Sequence, residues 1–246
     1  MKKLKFHHVI IFILLFASAT FFVLQQLIFH DMHESGFLLF QDMIFMPIHI
    51  LLVTFILDKI LSDREKKERL EHQNIVISSF FSEIGNDVIV MLNTNIVELE
   101  KISSVLNMDQ TWEDNNFKSA AKIMAAYSYH VNVTQDLLAK LKKQLPQKKE
   151  YLLSLFSNPN LLEIDTFTNM LWALYHLTDE LENRDDIANL PDTDLEHLAI
   201  DIVRIYGMLV CEWIKYMRHL KRKYPYLWSL AVRKNPFAKN KSVIIV

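Results

Sequence analysis

Apolar residues dominate two stretches near the start of the chain, residues 6–29 and 37–57. A helix that rises 1.5 Å per residue needs about 20 such residues to cross roughly 30 Å of hydrocarbon, which is close to the length of each stretch. The pattern therefore predicts a two-span transmembrane hairpin. MKKLK, VIIFILLF and ASA at 17–19 would also fit a cleaved signal peptide, but the apolar pattern continues through TFFVLQQLIF, which favours a retained span.

Lysine and arginine lie on only one side of the predicted hairpin. The connection HDMHESG contains neither residue type. The basic residues nearest to the spans are Lys2, Lys3, Lys5, Lys59, Arg64, Lys66 and Lys67. Because basic residues favour the cytoplasmic side, we expect a multi-pass protein of the inner (cytoplasmic) membrane with both termini in the cytoplasm.

The pattern changes to alternating charges after Leu61. In SDREKKERLEHQ opposite charges stand four residues apart, which supports a solvated helix, and residues 62–74 are predicted to form a charged helical stalk. Apolar residues at helical spacing return at Ile75. We therefore expect a cytoplasmic helical bundle over residues 75–223 and a basic, aromatic tail over 224–246.

Prolines and capping residues divide the predicted bundle into helices. One helix is expected from about Phe117 to Leu145, and Pro146 opens a short one. Asn158 and Pro159 are typical of the start of a helix, which would end near Asn183. The last predicted helix begins at the capping pattern formed by Thr193 and Glu196 and runs to about Lys223.

Composition supports an all-α fold. Three glycines and six prolines in 246 residues are too few turn-forming residues for an all-β or a doubly wound α/β domain. The scattered glycines also exclude a phosphate-binding glycine-rich loop and a dinucleotide fingerprint. A single cysteine, Cys211, excludes an internal disulfide and fits a reducing compartment.

Each predicted span carries a pair of polar residues seven positions apart, Ser18 with Gln25 and Asp42 with His49. In a hairpin, Gln25 and Asp42 would meet at one depth and Ser18 and His49 at another. Hydrogen bonds between the two helices are the favoured interpretation. A proton or ion path is the alternative, because ionisable groups inside a membrane are costly.

One set of side chains in the bundle could bind a metal ion. Histidine and carboxylate residues stand four apart on two predicted helices, which places each pair on one helix face, and a further acidic pair begins at Glu83. The candidate ligands are Glu83, His176, Glu180, His197 and Asp201. They would suit one or two divalent metal ions, although the His-first spacing differs from the Glu-x-x-His of di-iron bundles. A solvated, salt-bridged surface is the alternative interpretation.

Charge is distributed unevenly along the chain. Residues 61–212 contain 14 Lys and Arg against 25 Asp and Glu, whereas residues 213–246 contain nine Lys and Arg and no acid. Aromatic residues interleave with these basic residues, as in segments that contact anionic lipid headgroups. The predicted membrane-surface residues are Lys221, Arg222, Lys223, Trp228, Arg233 and Lys234. Packing of the aromatic residues on the bundle is the alternative, and nucleic acid is a disfavoured partner.

Several segments also resemble a known family. NPNLLEIDTFTNMLWALYHLTDEL, DLEHLAIDIVRIYGMLVCEWIKYM, YPYLWSLAVRKNPF and, upstream, FFSEIG are similar to segments of a family of uncharacterised bacterial and archaeal membrane proteins. The likeness spans most of residues 57–246. The resemblance implies an N-terminal two-helix hairpin with a cytoplasmic helical domain, and it implies no activity.

Three functions are compatible with these patterns. The favoured one is a membrane-anchored interaction, signalling or scaffolding module, with a protein partner or a second copy of the chain bound to it. A metal-binding enzyme or sensor depends on the histidine and carboxylate set. An oligomeric channel or transporter depends on Asp42 and His49. No nucleophile and base pattern indicates an enzyme.

Overall fold

The computed structural model describes residues 16, 20, 23, 24, 27, 32–159, 161 and 164–238. This part of the chain is helical, and its only β interaction is an isolated bridge between Ile96 and Val131. The α-helices are α1 (Met32–Phe80), α2 (Asn86–Asn93), α3 (Leu99–Leu106), α4 (Asp114–Ala125), α5 (Gln135–Gln144), α6 (Lys149–Phe156), α7 (Asp165–Glu182), α8 (Asp192–Lys223) and α9 (Pro225–Arg233). The all-α prediction is confirmed for these residues. The chain divides into two compact units, Met1–Lys66 and Lys67–Val246.

In the first unit, α1 exposes a long series of apolar side chains. Leu51 is 70% exposed and Phe55 is 75% exposed. One helical stretch among the described residues, Ile48–Asn93, is long and apolar enough by length and composition to cross a membrane. The second predicted span, 37–57, lies within α1. The first, 6–29, lies almost wholly outside the described residues, so the two-span hairpin stays a prediction.

The predicted stalk is a continuous part of α1, which runs without a break to Phe80. Residues 62–72 are exposed, and Gln73 is the first buried residue of the second unit. The boundary between the two units follows Lys66 and therefore falls within the predicted stalk.

The second unit is built around α8. Helices α4, α7 and α9 pack along it. Its apolar residues at helical spacing form the buried side, since Leu198, Ile202, Ile205 and Leu209 are all fully buried. Acidic residues occupy its first turn and basic residues its last, which matches the partial charges at the two ends of a helix.

A π-helical turn, Phe81–Gly85, joins α1 to α2. The extra residue of a π turn shifts the helix register, and two consecutive aromatic residues, Phe80 and Phe81, are both fully buried. Phe81 stacks on Tyr216 with ring centroids 4.9 Å apart, while Phe80 meets Phe167 edge to face at 5.3 Å. The turn thereby anchors the end of α1 to both α7 and α8.

The single helix predicted over 117–145 is wrong. The structure has α4 and α5 there, separated by residues 126–134, which pair with Ile96 through Val131. This segment, AYSYHVNVT, is rich in aromatic and β-branched residues, which favour extended backbone. Thr134 then caps α5 by accepting a hydrogen bond from the Leu137 backbone N–H. The next long helix also begins later than predicted, at Asp165 rather than Pro159.

The predicted tail is part of the bundle as far as residue 238. Residues 225–233 form α9, which packs on α8, and the following turn buries Asn235 and Phe237. Asn235 Nδ2 donates a 2.8 Å hydrogen bond to the Leu106 carbonyl oxygen. The Phe237 ring meets Trp213 edge to face. Residues 224–238 thus belong to the same compact unit as the rest of the bundle.

Candidate metal centre

Two neighbouring helices bring the histidine and carboxylate pairs together. His176 and Glu180 lie on the last turns of α7, and His197 and Asp201 lie on the first turns of α8. Each pair is four residues apart, so both members project from one face of their helix. The two helices pack against each other, and the four side chains converge near the connection between them.

Asp201 is at the centre of this cluster. Its Oδ2 atom lies 3.5 Å from His176 Nε2 and 3.7 Å from His197 Nε2. Glu180 lies slightly farther off, with carboxylate oxygens 3.9 Å from His176 Nε2 and 4.0 Å from His197 Nε2. Three possible ligand atoms lie within 4.8 Å of one another, one from each of His176, His197 and Asp201.

The Asp201 carboxylate is buried, with its side chain only 5% exposed, whereas both histidines are about half exposed. Arg204 donates a 2.6 Å hydrogen bond to Oδ1. The other oxygen, Oδ2, is buried and has no hydrogen-bond partner. The carboxylate is thus fixed by Arg204 on one side and has a free oxygen on the side that faces the two imidazoles.

A second arginine fixes the other carboxylate. Arg184 Nη1 donates a 2.5 Å hydrogen bond to Glu180, and the same guanidinium binds Asp194 through two hydrogen bonds of 2.7 and 2.8 Å. The Arg184 guanidinium lowers the pKa of Asp194. Sequence reasoning missed Arg184, although it stands four residues after Glu180, a spacing that could have indicated the contact.

Glu83 is not a member of this cluster. Its carboxylate lies 3.6 Å from Lys148 Nζ, beside the π-helical turn, and it lines a separate pocket with Asp87 and Lys143. Lys148 is thus the cation beside Glu83. Four of the five predicted ligands therefore lie together in the structure. The fifth, Glu83, lies elsewhere, and its assignment to the metal site is corrected.

The grouped residues suit a transition metal. Imidazole nitrogens with a carboxylate oxygen form a donor set that Zn²⁺, Fe²⁺ and related ions accept. Ligands bound at about 2.0–2.2 Å around a tetrahedral ion stand roughly 3.3–3.6 Å apart. The separations from Asp201 Oδ2 to the two imidazoles, 3.5 and 3.7 Å, are near that range. His176, His197 and Asp201 offer the donor set for such an ion, and Glu180, which Arg184 binds, is the nearest further carboxylate.

The predicted membrane-surface residues are only partly available to a membrane. Trp228 is 3% exposed and meets Phe117 edge to face, which corrects its assignment to a lipid-contacting surface. Lys221 donates a hydrogen bond to the Gln110 carbonyl oxygen and lies over the Trp228 ring. Arg233 is half-buried. Arg222, Lys223 and Lys234 remain exposed.

The structure describes only two of the four polar residues that were predicted to pair within the spans. Asp42 and His49 are exposed on α1. Ser18 and Gln25 lie outside the described residues, so the pairing of Gln25 with Asp42 and of Ser18 with His49 stays a prediction.

Comparison with known proteins finds matches along nearly the whole chain. The model for the N-terminal helical domain of MJ1433 matches residues 2–61. The model for the C-terminal helical domain of the uncharacterized protein MJ1433 matches residues 69–233. MJ1433 of Methanocaldococcus jannaschii is 40% identical over 247 residues, which cover 100% of this chain and 98% of that protein. No solved structure matches significantly. The two matched regions are separated by part of the predicted stalk.

Proposed function

We propose that this chain, which belongs to the MJ1433 family and has the N-terminal and C-terminal helical domains of that family in order, is a membrane-anchored helical module. We propose further that its bundle binds one divalent transition metal ion. The family has no assigned activity, so the proposal rests on the residues of this chain. Metal binding would make the module a sensor of the signalling or scaffolding kind, with a protein partner or a second copy of the chain as its target.

The observation that carries the metal proposal is the free oxygen of Asp201. A buried carboxylate oxygen without a hydrogen bond is costly, and Arg204 satisfies only the other oxygen. Two imidazole nitrogens stand within 3.7 Å of the free oxygen. A metal ion between these three atoms would satisfy the carboxylate and both histidines together.

Metal binding would also join two helices. His176 lies on α7, while His197 and Asp201 lie on α8. Bonds from one ion to both helices would fix their separation at this end of the bundle. Arg204 and Arg184 bind the two carboxylates from outside and would orient them before the ion binds.

The membrane part of the proposal is supported by α1. Its apolar side chains are exposed at Met46 and over residues 48–61, a surface that water would not favour. The basic residues around the predicted spans favour cytoplasmic termini. Reporter fusions at residues 1 and 246 should therefore score as cytoplasmic, and a tag within residues 30–36 should be labelled from outside. An externally accessible C-terminus would contradict this topology.

Elemental analysis of the full chain, purified in detergent without chelator and then exposed to Zn²⁺ or Fe²⁺, tests the metal centre. We expect one tightly bound equivalent per chain. His176→Gln, His197→Gln and Asp201→Asn should each lose it, whereas His130→Gln, an exposed histidine on another segment, should retain it. Metal-free wild type, or equal binding by the Asp201→Asn variant, would overturn the proposal.

A further inference from the structure

A basic groove lies between α1 and the C-terminal end of α8. Its volume is about 410 Å³, within the range of small-molecule sites. The basic side chains that line it are Lys67, Lys215, Arg218, His219, Arg222 and Lys223. Glu71 is the one acidic residue among its lining residues.

Three of these cations have carboxylate partners. Lys223 Nζ lies 2.9 Å from Glu71, Lys215 Nζ lies 2.6 Å from Glu212, and Arg218 binds Asp114. These pairs fix the ends of three long side chains around the groove. They also cancel most of the charge that the three cations bring.

Two cations remain. No carboxylate of the described chain lies within salt-bridge distance of Lys67 or Arg222. Lys67 comes from α1 and Arg222 from α8, so the two charges without a salt bridge reach the groove from both helices. An ion with two negative charges would neutralise them.

His219 adds an unsatisfied nitrogen to the same groove. Its Nε2 atom is buried and has no hydrogen-bond partner among the described residues. Burial, and then the charges of Lys223 and Arg222, lower the pKa of His219, while Glu71 raises it slightly. An anion in the groove would oppose the effect of the two cations.

We infer that this groove binds a phosphate group, through Arg222 and Lys67 from opposite sides. Guanidinium groups bind phosphate oxygens through paired hydrogen bonds, and lysine supplies a point charge. The groove has room for more than the phosphate itself, and Leu70 gives it an apolar residue for the attached organic group.

This inference is independent of the metal centre, which uses other residues of α8. The groove shares Arg222 and Lys223 with the predicted lipid-contacting surface, whose Trp228 is buried.

The phosphate could belong to a lipid headgroup or to a small soluble molecule. Both sources offer the same chemistry to the groove, and they differ in whether an acyl or alkyl chain contributes to binding. The experiment therefore needs one arm for each source.

The full chain in detergent would be titrated with inorganic phosphate and glycerol 3-phosphate in one arm. In the other it would be mixed with detergent-dispersed phosphatidylglycerol or phosphatidylcholine. The test variant is Lys67→Gln/Arg222→Gln, which removes only the two unpaired cations. Lys122→Gln/Lys140→Gln, at exposed positions elsewhere, is the matched control because it loses the same charge.

We expect saturable binding by the wild type that weakens at least about tenfold in the test variant and less than about twofold in the control. Binding of the soluble phosphates assigns the groove to a soluble ligand, and binding of phosphatidylglycerol alone assigns it to a lipid headgroup. Absence of binding in both arms, or an equal loss in the test and control variants, would overturn the inference.

Discussion

Tyr206 Oη donates a 2.6 Å hydrogen bond to Asn93 Oδ1 inside the bundle. Asn93 Nδ2 in turn donates a 3.0 Å hydrogen bond to the carbonyl oxygen of Pro236. One buried asparagine thus connects the end of α2, the middle of α8 and the segment that follows α9. Burial raises the pKa of Tyr206 far above its usual range, so its hydroxyl remains a donor.

Removal of this hydroxyl should destabilise the bundle. Tyr206→Phe leaves the ring in place but leaves Asn93 Oδ1 without its donor, and an unsatisfied buried acceptor costs about 1–3 kcal/mol. Denaturant unfolding of the full chain in detergent would measure the loss. Tyr226→Phe is the control, because Tyr226 is 72% exposed, and its free energy of unfolding should not change. Equal values for the two variants would contradict the role of this network.

Trp228 distinguishes packing from lipid contact in the C-terminal segment. Because its ring is buried against Phe117, Trp228→Ala should lower the free energy of unfolding by about 3–5 kcal/mol. Tyr226→Ala, on the exposed side of α9, should have little effect. A Trp228→Ala variant with unchanged stability but weaker binding to anionic vesicles would instead place Trp228 in contact with lipid.

The π-helical turn should tolerate no side chain at Gly85. A Cβ atom there would lie 2.6 Å from Phe81 Cδ1 and 2.8 Å from Phe80 Cε1, and both rings are fully buried. Gly85→Ala should therefore cost about 1–3 kcal/mol in the thermal or denaturant unfolding of the bundle. Gly36→Ala, with no atom within 4 Å of its Cβ, should leave the midpoint unchanged. A neutral Gly85→Ala would mean that the helix can abandon the π turn.

His219 should make the bundle less stable in mild acid. Its pKa in the folded chain is lowered, mainly by burial, so the unfolded chain binds the proton more tightly. The contribution of neutral His219 to the free energy of unfolding is fully present above the unfolded pKa of about 6.5. It is lost as the pH falls through the lowered pKa of the folded chain. His219→Gln should flatten the fall in Tm between about pH 7 and pH 5. His130→Gln serves as the control, and an unchanged slope in His219→Gln would refute the assignment.

A bound metal ion should stabilise the fold in a pH-dependent manner. Free Zn²⁺ at a hundred times its Kd would raise the free energy of unfolding by about 2.7 kcal/mol. The increase should weaken as the pH falls, because protons compete with the ion for its imidazole and carboxylate ligands. Calorimetric Tm values with and without Zn²⁺ would test this in the wild type and in His176→Gln. A stabilisation that survives in His176→Gln would place the ion elsewhere.

Local patterns in the sequence determined the helical class, the continuity of α1 through the charged stalk, and the pairing of His176 with Glu180 and of His197 with Asp201. These features depend on composition and on residues three or four positions apart, which a helix places on one face whatever surrounds it. The end of α8 at Lys223 was likewise predictable from its charges and the following proline.

Only the tertiary structure decided which of these faces meet. The sequence could not show that Glu83 lies beside Lys148 while Asp201 lies between two histidines, because both arrangements satisfy the same local spacing. The extended segment between α4 and α5 depends on Ile96, which is 35 positions before its partner Val131. Burial of Trp228 likewise depends on Phe117, 111 positions away. Contacts between distant segments form only when the whole bundle packs, and no local periodicity records them.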